Sequence, residues 1–204
     1  AARPALAAGT SRPDTMAMAF STTLTNHFLI AMPSLQDPNF ARTVTYICEH
    51  NEQGAMGIII NRPMDIQLGD MLSQLDIAAT DPRVLQTHVY LGGPVQTDRG
   101  FVLHSAEHSW DSTLEITPEI SVTTSRDILE AIADGKGPEL VMIALGYAGW
   151  AGGQLEDELS ANAWLSGPAD RNIMFRMPSE ARWQAAASLL GVDLNLLSGE
   201  AGHA

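Results

Sequence analysis

The chain has 204 residues, of which 45% are hydrophobic and 17% charged, so it can build one substantial core and is not a disordered protein. Its 24 acidic and 11 basic side chains give a formal net charge of −13, which argues against direct binding to nucleic acid. No apolar run reaches the roughly 18 residues of a membrane span, so we expect no membrane partner.

Residues 1–18 are predicted to form a disordered tail, because they are rich in Ala, Pro, Gly and Ser and show no apolar periodicity. Met16 or Met18 could be the biological start. The tail lacks the apolar core of a secretory signal, and the chain has a single cysteine, so we expect a cytoplasmic protein. Residues 19–192 are predicted as one domain, and residues 193–204 as a frayed C-terminal tail.

Short β-rich runs separated by turn residues dominate the first half of the domain. The predicted strands there are residues 27–32, 43–50, 55–61, 87–91 and 101–104. One helix is predicted over residues 68–75, because its apolar residues recur at helical spacing.

Helices become more frequent in the second half. They are predicted over residues 126–133, 154–164 and 179–190, with Ser125 and Ser179 as N-caps. Strands are predicted at residues 114–116, 120–123, 139–145 and 173–177, the first two partly exposed. Local strand pairs with interspersed helices predict an α+β fold, in which a single compact domain has a mixed sheet covered by helices.

A glycine-rich segment, LGYAGWAGGQLEDELSANAWL at residues 145–165, is the most unusual part of the chain. An apolar run passes through Gly146, Gly149, Gly152 and Gly153 into an acidic amphipathic stretch, which predicts a strand that feeds a helix through a tight connection. Such glycines allow a positive φ or a close approach of ligand or backbone. The connection is therefore a ligand cradle or a packed corner. The acids after it disfavour phosphate, and the packed corner is favoured.

A second glycine turn, GGPVQTDRG, begins with Gly92 and Gly93 and leads to Asp98 and Arg99. One interpretation makes Arg99 an anion contact that Asp98 orients. The other is a rigid loop held by a bond from Asp98 to the backbone. Because neighbouring strand residues point to opposite faces, we predict that Arg99 reaches an acid elsewhere in the fold or lines a pocket, and a structural ion pair is the favoured option.

Other reactive side chains give weak signals. Cys48 and His50, two residues apart, are expected to share a strand face, but no second pair of metal ligands has matching spacing. Cys48 lies in an apolar strand and is interpreted as a buried structural thiol. No GxSxG elbow surrounds a serine. The sequence therefore predicts neither a metal nor a cofactor.

Several long segments, in this order, resemble the AlgH/YqgE family of bacterial proteins. They are NHFLIAMPSLQDPNFARTV at residues 26–44, GAMGIIINRP at 54–63, VYLGGPVQTDRGFVLH at 89–104, the glycine-rich segment at 145–165, and FRMPSEARWQAAASLLG at 175–191. The resemblance implies a strongly curved mixed β-sheet with surrounding helices. It also brings the label of transcriptional regulator, which originates in alginate control, but no set of catalytic residues.

The predicted function is that of a cytosolic regulatory or ligand-binding protein, which affects transcription indirectly through a protein partner or a small ligand. A charge of −13 and the lack of a helix-turn-helix motif make direct DNA contact unsuitable. The oligomeric state is left open. The predicted ligand site combines two glycine turns with the end of a strand: Asn61, Arg62, Gly92, Gly93, Asp98, Arg99, Gly149, Gly152 and Gly153.

The alternative is an enzyme that acts on an anionic metabolite, with Arg99 as the anion clamp and His104 or Glu156 as the acid or base. Convergence of Arg99, His104 and Gly149 on one concave surface would favour this alternative. Glycines packed against neighbouring backbone would count against it. A purely structural module would instead expose a large apolar patch.

Overall fold

The computed structural model describes residues 23–197. Its strands are β1 (His27–Ala31), β2 (Val44–Asn51), β3 (Gly54–Ile59), β4 (Pro63–Gln67), β5 (His88–Leu91), β6 (Val95–Ser105), β7 (Thr113–Glu115), β8 (Ile120–Thr123), β9 (Val141–Ala151) and β10 (Trp164–Pro168). Its helices are α1 (Leu68–Gln74), α2 (Pro82–Leu85), α3 (Arg126–Ala133), α4 (Gln154–Ser160), α5 (Arg171–Phe175), α6 (Arg182–Leu189) and α7 (Leu194–Leu197). The predicted tail at residues 1–18 lies outside the described residues, as do residues 198–204 of the predicted C-terminal tail.

The strands form one mixed sheet in the order β10-β1-β2-β3-β9-β6-β8-β7, with β5 also beside β9 and β4 beside β5. Strands β5 and β9 run parallel, whereas the other described pairs are antiparallel. The sheet curls into a half-barrel within a single domain, which confirms the predicted α+β class. Within residues 23–197 no helix is long and apolar enough to cross a membrane.

Strand β9 is the centre of the sheet, and it changes partners half-way along. Residues 141–145 pair with β5 and β6, whereas residues 148–151 pair with β3. Gly146 lies between the two halves with a φ of +77°, which is the left-handed region. Side chains before it alternate regularly, but Tyr147 lies on the same face as Ala144, three residues earlier, where regular alternation would put it on the other face. The glycine therefore reverses the alternation where the sheet bends.

The predicted glycine corner is wrong in its position. The strand does not end near residue 145 but continues through Gly146 and Gly149 to Ala151, because β3 offers it a pairing partner. Only Gly152 and Gly153 form the turn into α4. Three-dimensional pairing has overridden the local tendency of glycine to break a strand.

Two predicted elements near the C-terminus are also wrong. The helix predicted over residues 154–164 ends at Ser160, because Trp164 begins an edge strand that pairs with Ala31. In place of the strand predicted over residues 173–177, residues 173–175 belong to helix α5 and the next two follow its end; the carboxylate of Asp170 accepts the amide of Ile173 at 2.9 Å. This N-cap favours a helix despite the β-rich composition.

Two predicted helix caps and the exposure of one strand also differ from the structure. Ser179 lies in a 3₁₀ turn, Ser179–Ala181, and its hydroxyl contacts Glu180 rather than capping a helix. Ser125 occupies the predicted N-cap position of α3, but its hydroxyl donates to Asp127 at 2.5 Å. Strand β8, predicted to be partly exposed, is buried at every position.

The helices cover both faces of the sheet. Helices α5, α6 and α7 pack on one face, over a cluster that includes Phe28, Tyr46, Ile58 and Leu103. Helices α1 and α3 cover part of the other face through Leu68, Leu72 and Ile128. The remaining part of that face packs against α4 through Trp150, Leu155 and Trp164. This arrangement leaves an area of the first face open near β2, β3, β9 and β6.

Candidate functional site

An open cleft of about 500 Å³ crosses strands β2, β3, β9 and β6. Its apolar lining is formed by Met56, Phe101 and Tyr147, which also pack against the cluster under the C-terminal helices. Gly149, which has no side chain, exposes the backbone of β9 at the bottom of the cleft. Arg99 lines the side of the cleft that β6 forms. The volume falls within the range of small-molecule sites, about 300–1,000 Å³.

Arg99 is exposed on this cleft, and its guanidinium carbon lies 5.3 Å from the centroid of the Phe101 ring. One guanidinium N–H group donates to the side-chain oxygen of Gln96 at 3.3 Å. Within residues 23–197 no carboxylate forms an ion pair with Arg99. The favoured structural ion pair is therefore absent from this part of the chain, and Arg99 lines a pocket instead.

An irregular stretch of β6 carries Arg99. Val95 pairs with Tyr147 and Gly100 with Leu145, so five residue steps on β6 oppose two on β9. Residues 96–99 stand opposite Gly146 alone and bulge out of the ladder. A Cβ added to Gly146 would meet the carbonyl oxygen of Val95 at 3.1 Å and would also approach the backbone of Gly93. The missing side chain of Gly146 therefore makes room for the base of the bulge.

Gly92 and Gly93 also lie in close contact with the backbone of β9 near Gly146. A Cβ on Gly92 would collide with the carbonyl oxygen of Gly146, and one on Gly93 would collide with the carbonyl group of Tyr147. Neither glycine lines the cleft. Asp98 faces a second cavity of about 360 Å³ on the opposite side of β6, so it does not join Arg99.

Asn61 and Arg62 lie away from the cleft and fasten a loop. The side-chain oxygen of Asn61 accepts the amide of Val44 at 2.9 Å. Both side chains also donate to backbone carbonyls of residues 39–42, at distances of 2.6–3.0 Å. Partial burial lowers the pKa of Arg62, although Asp37 opposes this effect. These contacts account for both residues without a ligand.

Gly149, Gly152 and Gly153 of the predicted site have three different environments. Gly149 lies in the cleft, where an added Cβ would meet the Tyr147 ring at 3.4 Å, an ordinary contact. Gly152 packs against the hairpin between β2 and β3, with the carbonyl oxygen of Glu52 only 2.6 Å from an added Cβ. Gly153, with a φ of +81°, is the N-cap of α4 and has open space around it. Of the nine predicted site residues, Arg99 and Gly149 are the two that line this cleft.

Comparison with known proteins identifies the family over most of the chain. The AlgH-like family model matches residues 28–195. The chain belongs to the AlgH-like family.

Its relatives support this assignment closely. A UPF0301 protein of Thioalkalivibrio sulfidiphilus is 59% identical over 187 residues, which are 92% of this chain and 100% of that protein. The UPF0301 protein AlgH of Pseudomonas aeruginosa is 59% identical over 184 residues, 90% of this chain and 97% of that protein. The family predicted from the sequence motifs is confirmed.

Solved structures show the same AlgH-like fold. The solution structure of AlgH from Pseudomonas aeruginosa superimposes with a TM-score of 0.75 at 58% identity, over 90% of this chain and 97% of that one. A crystal structure of a Corynebacterium diphtheriae protein reaches a TM-score of 0.68 at 22% identity, over 92% and 99% of the two chains. The second match concerns the fold alone.

His104, one candidate acid or base of this AlgH-like protein, is completely buried. Its Nδ1 must donate to the carbonyl oxygen of Ser105 at 2.8 Å, because a carbonyl can only accept. Its Nε2 then accepts from the hydroxyl of Thr123 at 2.7 Å. Burial lowers the pKa of His104 and outweighs the opposite effects of Ser105 and Glu107, which favours the neutral ring. It does not line the cleft.

Glu156, the other candidate, lies on the far face of the sheet and accepts a hydrogen bond from Nε2 of His50 at 2.6 Å. Nδ1 of His50 accepts the amide of Leu24 at 2.9 Å, so both ring nitrogens are engaged. Burial is the largest single influence on the pKa of Glu156 and raises it, but the hydrogen bond and charge of His50 and the backbone amide of Glu156 together outweigh burial, so the net shift is downward. Arg99, His104 and Gly149 thus do not open onto one surface, and the arrangement expected of the enzyme is not found.

The expected shared face of Cys48 and His50 is wrong. The register between β2 and β3 shifts between Ile47 and Glu49, so Cys48 is the extra residue of a β-bulge. Cys48 is buried as predicted, and this burial raises the pKa of its thiol. His50 pairs with Ala55 on the opposite side. Within residues 23–197 no cluster of three or more His, Cys, Asp or Glu suits a metal ion.

Sequence reasoning missed nine of the eleven residues that line the AlgH-like cleft, among them Glu49, Met56, Phe101 and Tyr147. In the run TVTYICEH, regular alternation would place Glu49 on the opposite face from Cys48. The bulge that reverses this order has no clear signal in the sequence. Phe101 was detectable, because it begins the predicted strand 101–104 two residues after Arg99, and residues two apart in an extended chain share a face.

Proposed function

We propose that this AlgH-like protein binds a small anionic ligand in the cleft and acts as a ligand-dependent regulatory protein. The observation that carries the proposal is Arg99, an exposed guanidinium held over Phe101 with no carboxylate partner in residues 23–197. An arginine offers a planar fork of donors that matches a carboxylate. Its bond to Gln96, at 3.3 Å, is long and easily exchanged for a ligand.

The surroundings of Arg99 favour a ligand of low charge. Stacking on Phe101 restricts the guanidinium before a ligand arrives, which reduces the entropy lost on binding. The apolar side chains of Met56 and Tyr147 exclude part of the water and so strengthen the attraction. The net charge of −13 repels polyanions at long range. A carboxylate therefore fits better than a polyphosphate.

The regulatory output would reach a protein partner rather than DNA. The acidic chain repels a phosphate backbone, so a change in the cleft is more readily transmitted by a protein that contacts its rim. We place this activity in the cytoplasm, since the single thiol, Cys48, is buried and the chain needs no disulfide.

A thermal-shift screen of monocarboxylate and dicarboxylate metabolites tests the proposal. We expect at least one compound to raise the melting temperature of the parent and to have no such effect on Arg99→Lys, because lysine cannot form the two-pronged contact. The matched control is Arg83→Lys, since the side chain of Arg83 is 92% exposed and belongs to α2, away from the cleft. Equal shifts in all three proteins would place the ligand elsewhere and refute the proposal.

A further inference from the structure

A second charge lies across the cleft from Arg99, and we propose on this basis that the ligand is a short extended peptide with free termini. This inference rests on the proposed function, because it needs Arg99 to bind the ligand's carboxylate. Glu49, from β2, would bind the amino terminus. The ligand is thus a short peptide whose amino terminus and carboxylate are both free and charged.

Glu49 faces the cleft because of the bulge at Cys48. Glu49 pairs with Met56, and directly opposite residues of an antiparallel pair share a face. Met56 lines the cleft, so Glu49 does as well. Without the extra residue, Cys48 would oppose Met56 and the carboxylate would point to the other side. Glu49 is exposed and forms no ion pair within residues 23–197.

Two independent departures from regular sheet geometry therefore place opposite charges at opposite sides of one cleft. The first is the bulge in β2 that turns Glu49, and the second is the irregular stretch of β6 that carries Arg99. Bulges are common beside binding sites, where they re-aim a side chain. A sheet that only needed a stable core would gain nothing from either exposed charge.

The separation of the two charges decides between an amino acid and a peptide. Glu49 and Arg99 lie on strands that are three neighbours apart, β2-β3-β9-β6, which is about 14 Å at a strand spacing of about 4.8 Å. The two charges of a free amino acid flank a single carbon and cannot reach both sides. An extended peptide rises about 3.3 Å per residue, so two to four residues fit between the side chains.

The floor of the cleft suits such a backbone. Gly149 lies in the same row as Glu49 and Met56, and its nearest neighbour to an added Cβ is the Tyr147 ring at 3.4 Å. The chain of a ligand can therefore approach the sheet closely at this row. Met56 and Tyr147 offer apolar contacts to small side chains.

An NMR titration of the full chain tests the inference with three probes: tri-alanine, N-acetyl-tri-alanine and tri-alanine amide. We expect saturable shifts of the Met56 and Gly149 amides with tri-alanine, and at least tenfold weaker binding when either terminus is blocked. Glu49→Gln should abolish the preference for a free amino terminus, and Arg99→Lys should weaken the preference for a free carboxylate. Glu115→Gln, an exposed acid on β7, is the matched control and should change neither preference.

Other outcomes separate this inference from the proposed function. If N-acetyl-tri-alanine binds as tightly as tri-alanine and still depends on Arg99, the cleft binds anions but the peptide inference is overturned. If no peptide binds while a metabolite carboxylate does, the inference is also overturned and the proposed function stands. If neither peptides nor carboxylates bind, both are refuted.

Discussion

Two arginines contrast a side chain that stabilises the fold with one that we propose binds a ligand. Arg182 is 4% exposed, donates to the carbonyl oxygens of Met177 and Ile60, and lies 5.2 Å from the centroid of the Tyr90 ring. Burial lowers the pKa of Arg182 despite the opposing effect of Tyr90. Arg99 has an aromatic neighbour too, but it is exposed and, within residues 23–197, has only one long hydrogen bond to a side chain.

This contrast leads to a prediction about stability. Arg182→Ala should lower the free energy of unfolding by roughly 3 kcal/mol, because it leaves buried carbonyls without donors and opens a cavity. Arg99→Ala should cost less than about 1 kcal/mol, the size of an exposed cation–π contact. Urea denaturation of both variants measures the difference. A loss of several kcal/mol in Arg99→Ala would restore a structural role for this residue.

His104 gives the fold a pH dependence. Its pKa is lowered in the folded protein, chiefly by burial, so the unfolded chain binds a proton that the folded chain does not. The stabilising contribution is complete above the unfolded pKa of about 6.5 and is lost as the pH falls below it toward the folded pKa. The free energy of unfolding should therefore decline as the pH falls through and below about 6.5.

Urea denaturation across this pH range, repeated with His104→Asn, measures the contribution of His104. We expect a shallower decline in His104→Asn than in the parent. An identical decline in the parent and in His104→Asn would show that His104 is not the group that titrates.

At the scale of elements, the bend in β9 at Gly146 affects both the stability of the sheet and the position of the cleft residues beside it. Gly146 has a φ of +77°, and its neighbours leave no room for a Cβ, whereas Gly149 has ordinary clearance in the same strand. We expect Gly146→Ala to cost roughly 2–3 kcal/mol of unfolding free energy and to weaken binding by displacing residues 96–99. Chemical denaturation and the carboxylate screen report the two effects separately.

Gly149→Ala is the matched comparison on the same strand. It should unfold within about 0.5 kcal/mol of the parent, because its added methyl group meets only the Tyr147 ring at 3.4 Å. It should nevertheless weaken ligand binding by filling the floor of the cleft. If Gly149→Ala binds normally, the ligand does not approach this row of the sheet.

The same elements show what sequence can and cannot predict. Strand β8 and helix α3 match their predicted limits, because apolar spacing and flanking polar residues decide both. Strand β10 was missed, since Trp164 becomes extended only by pairing with Ala31, far away in the chain. Arg99 was predicted as a site residue from its turn, but Glu49 depended on a bulge set by the register between β2 and β3.

At the scale of the whole molecule, charge separates the proposed function from direct DNA regulation. With 24 acids against 11 bases, the isolated protein should not bind random duplex DNA at physiological salt. An anisotropy titration against a labelled duplex measures this. Micromolar, salt-sensitive binding would restore a direct regulator.

The half-barrel leaves two cavities on opposite faces of β6, and only one of them contains Arg99. The most direct measurement is an amide shift map of the protein with the most stabilising carboxylate from the screen. We expect saturable shifts at Phe101, Tyr147 and Gly149 that disappear in Arg99→Lys. Shifts confined to the second cavity, around Val102 and Leu129, or shifts that persist in Arg99→Lys, would contradict the proposal that the cleft binds an anion through Arg99.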